Sequence, residues 1–171
     1  MPKGLKQTSA VVSIGFSVEE SAANTFTQEQ VDLNLSPLDR EVFIALAINM
    51  DTSSPDLVDG LTSATKAGLT TTRQTVMPGL ENANCLSRIT DRIVTDAGAV
   101  GAAVSFSTAA LETPPATLEY IGIIATNDFF VQVEGTNNNG PKGVSGKMYG
   151  YRAVASADIY AALVQSEVLS A

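Results

Sequence analysis

Val12-Ser13-Ile14-Gly15-Phe16-Ser17-Val18 decides the fold class. Its even positions are all apolar and its odd positions are Ser, Gly and Ser. A period of two puts one face of an extended strand into a core and leaves small polar side chains on the other. The alternation recurs at Val31, Leu33 and Leu35 against Gln30, Asp32 and Asn34. It returns at Val100, Ala102, Val104 and Phe106 against Gly101, Ala103, Ser105 and Ser107. Residues 42–48 (VFIALAI) are apolar throughout and predict a central strand covered on both faces. Pro37 and the cluster Asp39-Arg40-Glu41 separate it from the strand before.

Further along, residues 118–125 and 129–134 are β-rich runs, and Asn127-Asp128 between them predicts a hairpin turn. Residues 135–143 (GTNNNGPKG) have the composition of a flexible loop, and residues 144–155 read as a long strand after it. Residues 70–77, rich in Thr, and 88–94 predict two weaker strands, with 78–84 an irregular excursion between them. Eight or nine evenly spaced strands predict an all-β chain folded as an antiparallel sandwich or barrel, not βαβ units. One helix closes the chain. Ser156 suits its N-cap, Asp158 its first turn, and two overlapping apolar stripes follow: Ile159, Ala162, Leu163 and Tyr160, Val164, Val168. A short turn over residues 54–66 is a further candidate. The chain reads as one domain, residues 11–171, preceded by a flexible, weakly basic arm at residues 1–10.

Charge sharpens this picture. The 171 residues carry Lys+Arg 10 against Asp+Glu 18, a net charge of -8, and only 16% are charged, against about 25% in ordinary soluble domains. Small neutral residues fill the gap: 22 Ala, 17 Thr, 15 Ser and 13 Gly. A surface short of Lys and Glu suggests cover by neighbouring subunits. With His 0, no Ser-His-Asp site, His base or His-ligated zinc can be built. Cys85, the one cysteine, forms no intrachain disulfide or cysteine cluster. The acidic balance argues against nucleic-acid binding by the domain body. No apolar run approaches the ~20 residues of a membrane helix, and the N-terminus lacks the apolar region of a signal peptide.

Few residues suggest a site. Asp51, Asp56 and Asp59 lie in an oxygen-rich stretch (DTSSPDLVD), the donor type that calcium takes. Their spacing fits no EF-hand loop, and an exposed turn is the plainer reading. Glu19-Glu20 and the pair Glu112, Glu119 have the residue type of a glycosidase couple, but nothing fixes their separation, and they read as solvated strand ends. Cys85 reads as a small hydrophobe, since no His stands near to activate it. Lys3 and Lys6 give the first eighteen residues a charge of +2 and leave −10 to the rest. As interface candidates they could contact a partner's acidic surface or a nucleic-acid or lipid headgroup layer, or serve as a disordered solubilising terminus. Tyr149 and Tyr151 share one face of a strand and Met148 faces the other way; all three are interface candidates, the tyrosines as anchors.

Residues 35–51 (LSPLDREVFIALAINMD), 127–153 (NDFFVQVEGTNNNGPKGVSGKMYGYRA) and 161–170 (AALVQSEVLS) together resemble the single jelly-roll coat proteins of icosahedral viruses, and more loosely small virion decoration proteins. The second stretch reads as a hairpin with a polar tip. The resemblance implies a jelly-roll-like antiparallel β-sandwich of about eight strands with a short C-terminal helix. It implies assembly as the activity, a place in the virion, no catalytic residue, no cofactor, and partners that are copies of the chain or other virion proteins. The weak basic arm departs from coat proteins that contact their genome, so another protein or an internal membrane could lie beneath. Two other classes stay open. One is a ligand- or carbohydrate-binding sandwich using residues 51–59 or 135–143. The other is a cell-surface layer or appendage subunit. A hydrolase ranks last.

Overall fold

The computed structural model of the chain describes residues 2–96, 98, 102–109 and 118–171. Its elements run β1 (Leu5–Gln7), β2 (Val12–Glu19), β3 (Thr27–Asp32), β4 (Glu41–Thr52), β5 (Ser63–Thr70), β6 (Cys85–Thr95), β7 (Ala103–Ala109), β8 (Gly122–Ile124), β9 (Asp128–Thr136), β10 (Gly143–Ala155) and α1 (Ala157–Leu169). The first sheet has the order β8-β4-β10, with β2 and β1 sharing the far side of β10. The second sheet runs β3-β9-β5-β6-β7, and every pairing in both sheets is antiparallel.

The pairings nest. β2 pairs with β10, β3 with β9, β4 with β8 and β5 with β6. This is one long hairpin with its apex between β5 and β6, rolled so that successive pairs fall in alternate sheets. The chain is an all-β, jelly-roll-like antiparallel sandwich, with β7 added outside β6.

The alternation of β2 does what its sequence implies: Phe16 and Val18 enter the core between the sheets, and Phe16 meets Phe129 edge to face at 6.1 Å. β4 explains the doubly apolar run. Phe43 and Ala45 face the second sheet, while Val42 and Ile44 join a second cluster on the outer face of the first sheet. There Ile159, Tyr160, Leu163 and Val164 of α1 cover them together with Leu5, Tyr151, Ala153 and Ala155. Leu46 is an extra residue on β4, since Tyr149 pairs with Ala47 but Gly150 with Ala45. This bulge shifts the parity, so Ile48 and Met50 turn inward where Phe43 and Ala45 did before it.

Several expectations need correction. Asn127-Asp128 makes no hairpin, because β8 belongs to the first sheet and β9 to the second. The Asn127 carbonyl instead accepts from Leu33 N and its side chain from Leu35 N, holding the crossing. The 127–153 stretch is no hairpin either, since β9 and β10 lie in different sheets. Turn-forming residues signal that a chain reverses, not which strand it then meets. β3 stops at Asp32, yet Leu33 and Leu35 remain buried.

The Thr-rich stretch gives up its strand at Thr70, and residues 71–84 fold across the outer face of the second sheet. Gly68 permits this: a Cβ there would stand 3.2 Å from Pro78 Cγ. The short turn expected within 54–66 closes where Leu61 N donates to the Val58 carbonyl, and β5 begins at Ser63. The N-terminal arm is partly strand, because Leu5 is buried when β1 pairs with Ala153, Val154 and Ala155. Val100 and Gly101 lie outside the described residues.

Candidate functional site

Glu20 is buried, not solvated as its position after Glu19 suggested. Continuing the inward parity of Phe16 and Val18 by one step points it into the protein, and this signal was present in the sequence. Its carboxylate accepts from Thr25 N at 2.8 Å, Gly135 N at 2.6 Å and Lys142 N at 2.7 Å. Asn138 extends the network: it exchanges hydrogen bonds with Asn24, accepts from Asp56 N and donates to the Ala64 carbonyl. Lys142 Nζ meets Asp56 at 2.7 Å, and this ammonium holds the Asp56 carboxyl below its ordinary range. Three loops at one end of the sandwich are tied together. The 137–142 segment, flexible by composition, is therefore fixed by buried Asn138 and Lys142.

That network engages residues of both loops offered as binding sites. Asp56 is committed to Lys142, Asp51 lies exposed on β4 and Asp59 in the loop after it. Among the described residues no group of three His, Cys, Asp or Glu side chains gathers as metal ligands. Glu19 is exposed and turned away from Glu20; Glu119 is exposed, and Glu112 lies outside the described residues. Cys85 is half-buried, and burial pushes its thiol pKa up, which suits an inert side chain.

Met148 is fully buried in the core between the sheets, and Tyr151 lies under α1, so neither reaches a partner. Tyr149, on the same face as Tyr151 but beyond the helix, stays half-exposed. It borders an open depression shared with Asn49, Asp51, Ser145 and Lys147 on the outer face of the first sheet. Lys3 and Lys6 are both exposed, on either side of Leu5.

At the opposite end Glu167 sits where the apolar stripe of α1 would continue, four residues after Leu163. It is buried and accepts from Ala125 N at 2.9 Å and from Thr126 Oγ1 at 2.8 Å. Burial raises its pKa. The Asn84 side chain donates to the Glu167 carbonyl, so the helix end is joined to the β8–β9 crossing and to the 71–84 segment.

An apolar surface left to water lies on β6 and β7. Val94 is 37% exposed, Val104 58% and Phe106 55%. The register sets Val94 opposite Val104 and Arg92 opposite Phe106, so these side chains share one face. Residues 103–108 are exposed on both faces, so this strand extends past the sandwich. Ala103–Ala109 contains no charged residue. Sequence reading placed Val104 and Phe106 in a core, and the structure puts them in water.

Among the described residues no helix is long and apolar enough to cross a membrane. No family model matches the chain, and no curated protein matches it. Among solved structures, a chain titled Desmodium yellow mottle tymovirus is similar at 11% identity and a TM-score of 0.32, over 92% of this chain and 95% of that one.

Proposed function

We propose that this chain is a self-assembling structural subunit that builds or decorates a virion shell, with copies of itself as principal partners. One observation carries the reading: a charge-free strand with Val104 and Phe106 in water, on a chain with only 16% charged residues. Covering this strand desolvates no ionic group of its own, with Arg92 on β6 the charge beside it, so association gains apolar burial without the cost of stripping water from Lys or Glu. The rolled sandwich protects most strand edges and leaves loops and β7 to make contacts that repeat from copy to copy. The net charge of -8 keeps separate subunits soluble. On this reading the chain performs no catalysis, needs no cofactor and reads no nucleic-acid sequence.

Light scattering and negative-stain microscopy at native salt test it. Discrete oligomers or regular particles are the expected result. A monodisperse monomer across salt and pH overturns it. The open face around Asn49, Asp51 and Tyr149 supports a second reading, a carbohydrate-binding module; specific signals on a glycan array from a monomeric protein would favour it.

A further inference from the structure

We infer that two copies of the chain join edge to edge through β2, antiparallel, about a two-fold axis at Gly15. This rests on the self-assembly reading and names one contact within it. The backbone of β2 sets the register. Glu20 N donates to the Lys142 carbonyl, and the β2–β10 pairing runs on from Gly143↔Glu19 to Gly150↔Val12. Bonded residues alternate along an antiparallel ladder. Val12, Ile14, Phe16 and Val18 therefore direct their N–H and C=O groups at β10, while Ser13, Gly15, Ser17 and Glu19 direct theirs at the outer edge. Among the described residues no hydrogen bond reaches that edge.

The segments that flank β2 are described on both sides. Thr8 N and Ser9 Oγ bond to Arg152, Ser21 N to Thr27 and Asn24 to Asn138, and neither flank bonds to the edge. β8 ends the first sheet and β7 the second at the far side, away from β2 and β3. Ser13, Gly15 and Ser17 are exposed, and a Cβ on Gly15 would meet only the Gly146 carbonyl, at 3.9 Å. An uncovered edge is a template for another strand.

The strand complements itself, which makes a second copy its occupant. A two-fold contact sets residue i against j and j against i. Residues 12–18 read nearly the same in both directions: Val12 mirrors Val18, Ser13 mirrors Ser17 and Ile14 mirrors Phe16. With Gly15 on the axis, its free groups meet those of its own twin and each Ser13 meets Ser17 of the other copy, about six backbone hydrogen bonds in all. On the inward face Val12, 41% exposed, comes beside Val18 of the other copy and gains the cover its own chain leaves out. Glu19 is the one charged residue of β2. The two copies hold it at opposite ends of the contact, about 27 Å apart. The β3 edge suits a second copy less well, since Asp32 lies opposite Asp128 there, and β8 is only three residues long.

Area sets the strength. Seven strand residues span about 23 Å, and the pairing covers a few hundred Å² per copy, roughly, against about 800 Å² in a stable interface of standard size. The isolated contact is therefore a weak, concentration-dependent dimer, reinforced when other contacts hold the copies together. Salt tightens it, because the adjacent β3 edges of the two copies carry Glu29 and Asp32 and repel each other when unscreened.

Three variants test the contact in sedimentation velocity, with circular dichroism confirming that each folds. Gly15→Pro removes the N–H at the axis, which β10 does not use, and an edge strand tolerates proline there. Association should weaken by roughly tenfold or more. Ser13→Lys with Ser17→Lys sets like charges opposite each other on both sides of the axis, and should weaken it by roughly as much although the net negative charge falls. Ser13→Lys with Ser17→Asp sets opposite charges at the same places and should restore association. If the two double variants associate alike, or if folded Gly15→Pro associates as the wild type does, the β2 contact is overturned while self-assembly stands. A wild type that stays monomeric at every concentration overturns both.

Discussion

β2 and β7 are written in nearly the same language and end in opposite environments. Val12–Glu19 reads VSIGFSVE and Ala103–Ala109 reads AVSFSTA, both alternating and both nearly free of charge. In β2, Phe16 is 8% exposed and Val18 2%; in β7, Phe106 is 55% exposed and Val104 58%. The difference lies in what stands opposite. β2 lies across from β9, whose Phe129 receives the ring of Phe16. On β7, Phe106 and Val104 share the face of Arg92 and Val94, the outer face of the second sheet, which turns away from the first sheet, and among the described residues no layer covers them. Alternation creates an apolar face, and only a second layer turns that face into a core. An apolar face without its layer stays in water.

The contrast is broken most sharply at the two phenylalanines. Phe16→Ala should cost about 3–5 kcal/mol of folding stability in urea denaturation. Phe106→Ala, at the other end of the scale, is considered last. Glu20→Ala extends the test along the inward face of β2. It leaves three backbone N–H donors without their acceptor and should cost about 3 kcal/mol, at 1–3 kcal/mol for an unsatisfied buried group. A loss below about 1 kcal/mol would show that the loop network is not what holds that end of the sandwich.

The cover on the first sheet gives the next two tests. Gly4 has φ 80°, and a Cβ there would stand 2.1 Å from Ile159 Cδ1. Gly4→Ala should therefore lower thermal stability by about 1–2 kcal/mol through the left-handed backbone alone, and loosen α1 over Tyr151 as read by protease sensitivity. Glu167 gives a pH test. Its folded pKa is raised by burial above the ordinary value of 4.5. The unfolded chain therefore releases this proton first as pH rises, and stability contributed by the protonated group is lost as pH climbs through the raised folded value. Denaturation of the wild type should show that decline, and Glu167→Gln should remove this part of it. Parallel curves for the two proteins would overturn the assignment. The smallest effect on folding belongs to Phe106→Ala, within about 0.5 kcal/mol of wild type, while oligomer formation falls. A large destabilisation would mean that β7 is covered within its own chain.

Much of the fold was legible. Ile14, Phe16 and Val18 of β2, the doubly apolar β4 and the closing helix behind Ser156 stand where their patterns put them, although Val12 is exposed and the Ser156 side chain makes no capping bond. Residues 71–84 and the crossing at Asn127 were not legible as such. Whether a polar turn pairs its flanking strands or carries the chain to the other sheet depends on strands far away in sequence. The candidate site was less legible still. Tyr151 looked like an interface anchor and is covered by α1, whereas Phe106 looked like core and is open. Glu20 could have been placed by parity, and Glu167 by its spacing from Leu163, but neither position announces its hydrogen-bond partners.

The sequence by itself determined the strands, their two-sided character, the helix and the scarcity of charge, because these follow from side-chain order along a single extended or helical segment. Only the tertiary structure decided which apolar faces are covered. That depends on rolling β2 to β10 into two layers, which closes over Phe16 and Phe43, leaves α1 to shield Val42 and Ile44, and, among the described residues, leaves the outer face of β7 uncovered.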